Sequence, residues 1–150
     1  MQEEFVRELS ARRRDIRARW EALLRIERVN TPLANPEALV FMLDWTLDEV
    51  FSSLQRPHAK RRGTSAPVVC PCGRNPLLAY FAAGKQALVE ALVLAQSSHM
   101  ALDPALRDEA LVELKHCVHE ITRREIESFC SVCQFRSEAH PAVLTGSGDT

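Results

Sequence analysis

Two short-spaced cysteine pairs carry the clearest chemical signal in this chain, Cys70-Pro71-Cys72-Gly73 and Cys130-Ser131-Val132-Cys133. Four thiolates brought to one point suit a closed zinc site, tetrahedral with Zn–S near about 2.3 Å. The same sulfurs can cycle between thiol and disulfide, with Cys70 or Cys72 as the nucleophile of a thiol redox enzyme. Four cysteines also permit an iron–sulfur cluster, although nothing else in the sequence selects one. The bland alternative is cysteine as a small buried hydrophobe. The Cys-x-Cys half is the less specific of the two motifs.

Whether the pairs meet depends on the elements between them. The chain reads as four helices with almost no strand signal. The first is predicted over Glu3 to Val29, with Phe5, Leu9, Ile16, Trp20 and Leu23 at helical spacing. The next three share a start signal, Asn35-Pro36, Asn75-Pro76 and Asp103-Pro104, a capping side chain before a proline whose fixed φ suits the first helical position. Helix two then runs to about Leu54, helix three to about Gln96 and helix four to about Cys133. Trp20 and Trp45 both fall at core spacings and read as packing residues.

Helix length closes the gap between the pairs. At about 1.5 Å per residue, helix three covers roughly 30 Å, and helix four travels back that far by Arg124 or Glu125. Cys130 and Cys133 lie one to two turns further, level with the loop that holds Cys70 and Cys72. Cys130 and Cys133 are spaced i,i+3 and share a face. The loop pair is a tight turn in which Gly73 is able to take positive φ. Arg74 and the start of helix three ease the negative charge of the thiolates.

Composition sets the limits. At 150 residues, 46% of them apolar, the chain is long enough for one self-sufficient domain, expected over 1–136 with a disordered tail at 137–150. The net charge of −1 speaks against nucleic acid as the main partner. Arg12-Arg13-Arg14 reads as a solvated helix face, whereas Lys60-Arg61-Arg62 sits in the long loop, open to a protein partner or phosphate contact. The acidic Met1-Gln2-Glu3-Glu4 start carries no secretory signal, and Lys85 and Glu90 interrupt the longest apolar stretch. A cytoplasmic protein outside the membrane is expected, where paired cysteines bind metal or cycle redox state more often than they form structural disulfides.

Other constellations are weaker. Glu113-x-x-His116, with Glu90 as a bridging acid, has di-iron spacing, yet the required second Glu-x-x-His is missing. His116 and His119 read as a polar flank beside a buried Cys117, which lies too far along the helix to join the quartet. No nucleophilic triad, phosphate loop or dinucleotide fingerprint is present, so no catalytic residue is assigned.

Two resemblances add to this reading. Cys-x-Cys followed by Cys-x-x-Cys resembles the zinc centre of the redox-switched bacterial holding chaperone, which implies thiolates poised for oxidation on zinc; the likeness covers the cysteines alone. Ile16-Arg17-Ala18-Arg19-Trp20 and Asn75-Pro76-Leu77-Leu78-Ala79-Tyr80-Phe81 resemble the N-terminal helical sensor domain of RsbR-type stressosome co-antagonists. That likeness, over roughly residues 5 to 135, implies a globin-related, dimeric, non-enzymatic input module. The quartet is not part of that pattern, and no output domain follows.

The expectation is therefore an all-α bundle of four main helices with a long loop between helices two and three. It acts as a homodimeric, non-enzymatic regulatory or sensor module, with zinc on Cys70, Cys72, Cys130 and Cys133.

Overall fold

The computed structural model describes residues 3–26, 36–56, 67–71, 73–98 and 103–133. Among them there are six helical segments and no strand: α1 Glu3–Ala11, α2 Arg13–Ile26, α3 Pro36–Val40, α4 Leu43–Gln55, α5 Leu77–Ser97 and α6 Pro104–Val132. The all-α class holds. Asn35, Lys60 to Arg62 and the 137–150 tail, on which sequence expectations fell, lie outside the described residues.

Two expected helices are each divided. The Arg12 N–H is shared between the carbonyls of Glu8 and Leu9, both at 3.1 Å, so the backbone tightens for one residue between α1 and α2. Phe41 and Met42 form a turn, the Met42 N–H reaching the Leu39 carbonyl at 3.1 Å, and α4 restarts with no side-chain cap. Neither break involves glycine or proline.

The proline-capped starts behave as physics requires. Asn75 Oδ1 accepts from the Leu77 N–H at 2.9 Å, and Asp103 Oδ1 accepts from the Ala105 N–H at 2.9 Å. Each side chain satisfies one of the donors a helix start leaves open.

α5 is the element around which the rest packs, touching α1, α2 and α6. Its Ala83, Gly84, Ala87, Ala91 and Ala95 are buried and small, so neighbouring helices approach closely. By length and a mean hydropathy of 1.5 this helix resembles a membrane span, although half of that stretch is buried against the other helices. α5 and α6 run antiparallel: Gln96 Nε2 donates to the Arg107 carbonyl at 3.0 Å near one end, and Asn75 meets Cys130 at the other.

Trp20 locks α2 onto α5. Its indole N–H donates to the Tyr80 carbonyl at 2.9 Å, its ring lies 4.8 Å from the Tyr80 ring, and it is 1% exposed. The Tyr80 hydroxyl shares a 2.8 Å hydrogen bond with Thr46 Oγ1 of α4, and burial pushes this phenol up. At the solvent edge of the same interface, Arg19 forks onto Glu90 at 2.7 and 3.1 Å. That hydrogen-bonded guanidinium, helped by Gln86, holds the Glu90 carboxyl down at about 2. The pairing is in place at neutral pH and is lost only as pH falls toward that value. Arg13 reaches across to Asp44 and Asp48 of α4, and Arg17 to Asp44, so Arg13, alone of the basic run, ties α2 to α4.

One core expectation is corrected. Trp45 is 51% exposed. Leu43, Leu47, Val50 and Leu54 take the core face of α4, and Thr46 joins them through its bond to Tyr80, leaving Trp45 about 100° away around the helix.

Gly84 gives the sharpest stability test. A Cβ built on it would overlap the six-membered ring of Trp20. Alanine normally gains about 1 kcal/mol over glycine inside a helix. Here Gly84→Ala is expected to destabilise instead, by about 1–3 kcal/mol through overpacking. Urea unfolding followed by tryptophan fluorescence checks the sign.

Candidate thiol site

The antiparallel α5–α6 pair brings Cys70 and Cys130 together. Their sulfurs lie 3.5 Å apart although the residues are 60 positions apart in sequence. Cys70 sits on the segment leading to α5 and Cys130 in the last turn of α6, and both are half-buried. The local turn forms as the sequence requires: the Gly73 N–H donates to the Cys70 carbonyl at 3.0 Å, and Gly73 has φ of 65°. An L side chain at that φ is strained.

Asn75 holds the pair from beside it. It is buried, 4% exposed, and its Nδ2 approaches Cys130 Sγ at 3.6 Å while its Oδ1 caps α5. One side chain thus fixes both the start of α5 and the end of α6. Sequence reasoning identified the cap but not the contact to sulfur. The spacing that brings Asn75 level with Cys130 was already in the hairpin count.

Cys133 lies at the same end of the bundle and terminates α6. Its N–H reaches the Cys130 carbonyl at 3.4 Å and its backbone turns extended. Cys72 lies outside the described residues. Among the described residues, no group of three or more His, Cys, Asp or Glu side chains is arranged to hold a metal ion. The structure therefore joins one cysteine from each pair.

Cys117 stands apart, as its sequence position required. It is 2% exposed, and its Sγ is 3.8 Å from the Val50 carbonyl of α4. His116 and His119 flank it, each with a buried Nε2 that has no hydrogen-bond partner among the described residues. Glu113 does not combine with them into a metal-binding group. In chemical terms, the Cys70–Cys130 pair can bind a thiophilic cation or lose two electrons and two protons to become a disulfide.

Compared with known proteins, the chain matches no family model, no curated protein and no solved structure.

The geometry makes thiol oxidation selective. Diamide treatment of the metal-free protein is expected to link Cys70 to Cys130, because closing from 3.5 Å to a disulfide needs only small side-chain motion. Cys117 should stay reduced inside the core. Peptide mapping by mass spectrometry checks this, and a disulfide at Cys117 would contradict the packing described.

Proposed function

We propose that this chain is a non-enzymatic regulatory or sensor module in which Cys70, Cys72, Cys130 and Cys133 hold a zinc ion. The ion fastens the connection at residues 55–74 to the end of α6. The observation that carries this reading is the 3.5 Å separation of Cys70 and Cys130 sulfurs. A zinc tetrahedron with Zn–S near about 2.3 Å has sulfur–sulfur edges of about 3.8 Å, so the pair is spaced as one edge of such a site. Each cysteine brings its own close-spaced partner, Cys72 or Cys133, as the remaining ligands.

In this reading α1 with α2, and α3 with α4, act as the first two members of a bundle of four main helices, with α5 and α6 as the others. The module works as a homodimer. Supporting that, Val93 and Leu94 of α5 and Val112 of α6 are exposed apolar residues on the two central helices. An isologous contact is the commonest way to cover such a surface. The absence of a nucleophile–base arrangement in the sequence favours a binding role over an enzymatic one.

The same sulfur separation favours a second reading, a redox switch in which an oxidant takes two electrons and two protons as Cys70 and Cys130 form a disulfide. Access separates the two, since a closed zinc site protects every sulfur whereas a redox thiol must be reachable. Purified under reducing conditions, the protein is expected to carry about one zinc per chain, with four thiols protected until a chelator is added. Metal analysis with thiol counting checks this; metal-free protein with reactive cysteines would favour the redox switch. Chelation should leave circular dichroism largely unchanged, because α1 to α6 share a core that does not depend on the cysteine pair. Global loss of helicity on chelation would show instead that metal binding and folding are one event.

A further inference from the structure

The cysteine pair is flanked by a buried side chain that serves two helices at once. Asn75 is 4% exposed, its Oδ1 accepts from the Leu77 N–H at 2.9 Å, and its Nδ2 lies 3.6 Å from Cys130 Sγ. With Oδ1 committed to the start of α5, the amide has one orientation, and its N–H donors are the end that faces sulfur. Sulfur's larger radius makes 3.6 Å a hydrogen-bonding distance. Cys130 Sγ in turn lies 3.5 Å from Cys70 Sγ, so amide and both sulfurs form one connected row.

Capping alone does not call for an amide. Asn, Asp and Ser cap about equally well. Of the three, only asparagine carries N–H donors on a second atom, separate from the acceptor that caps. Aspartate stands at the start of α6, where Asp103 Oδ1 accepts from the Ala105 N–H at 2.9 Å. Asparagine stands at the start of α5, where the sulfurs are. A cysteine binds metal as thiolate, and four thiolates outweigh the charge of one zinc ion. An N–H donor aimed at one of them spreads that excess charge and fixes the direction of the sulfur.

We propose that Asn75 is a positioning residue for the four-cysteine metal site: its Nδ2–H donates to the Cys130 thiolate, aims that sulfur at the position shared with Cys70, and tightens metal binding. The inference rests on the zinc reading above and adds to it a residue outside the ligand set. Loss of its amide weakens the metal while the helices stay in place. Outer-shell partners of this kind are worth about 10–100-fold in metal affinity.

Zinc is the probe, titrated into the reduced, metal-free full chain against a chromophoric chelator, with cobalt(II) as a spectroscopic substitute. Asn75→Ser, and Asn75→Thr as a second variant, keep a capping oxygen and remove the amide. Both are expected to unfold thermally close to the wild type when metal-free, yet to bind zinc about tenfold more weakly. The sulfur-to-cobalt charge-transfer band should move to longer wavelength in both, because a thiolate without its N–H donor gives up charge more readily. Asp103→Ala, which removes the cap at the far end of the α5–α6 pair, should lower the unfolding temperature and leave zinc affinity unchanged. The inference is overturned if the Asn75 variants bind zinc as tightly as the wild type, or if the cobalt band stays in place. It is equally overturned if Asp103→Ala weakens zinc as much as they do, since affinity would then merely follow helix stability. A wild-type chain that binds no zinc overturns the four-cysteine reading and this inference together.

Discussion

The seating of Trp20 over Gly84 is the contact on which the rest of the fold depends. Only a residue without Cβ lets the indole lie against the α5 backbone and donate to the Tyr80 carbonyl. Tyr80 then carries the constraint onward, its hydroxyl bonded to Thr46 and its ring set edge-on to Phe81 at 5.1 Å. A buried phenol left without a partner would be costly, so the Thr46 bond fixes α4 in rotation as well as in distance. Two helices, α2 and α4, are thereby referred to one turn of α5, and that turn begins only five residues after Asn75.

From this node the thiol site follows by register. With α5 fixed by Trp20 and α6 laid antiparallel along it, the last turn of α6 must arrive beside the cap of α5. Asn75 is suited to the junction because an amide offers both an acceptor and donors. Its acceptor satisfies the helix start, and a donor is left for the sulfur of Cys130. An aspartate would cap as well but would set a negative charge against the cysteine pair.

Much of this was legible in the chain. The starts of α5 and α6 could be placed because Asn75-Pro76 and Asp103-Pro104 are local signals that depend on nothing distant. The meeting of Cys70 and Cys130 followed from helix length alone. The breaks at Arg12 and Met42 were not legible, since neither carries glycine or proline and both arise as the chain tightens over the core. Trp45 was misplaced because Trp, Leu and Val alternate around α4, and periodicity cannot tell that Thr46 will be drawn inward by a tyrosine 34 residues away.

The segment before α5 shows why the cysteine pair matters energetically. Val68 packs partly against the core, whereas Val69 is 73% exposed, and the backbone of the turn contributes a Gly73–Cys70 hydrogen bond. Such a bond contributes about 1 kcal/mol net, and a half-buried valine about as much. Ordering each backbone residue costs about 1–2 kcal/mol, so these two contacts alone hold the segment weakly. Additional bonding between Cys70 and Cys130, through a metal or a disulfide, would hold this segment further. The same bond would have far less to add to α5 and α6, whose packing rests on the Trp20–Gly84–Tyr80 node. A chemical change at the sulfurs therefore acts first on the segment that carries Val68, and the helical core registers it last.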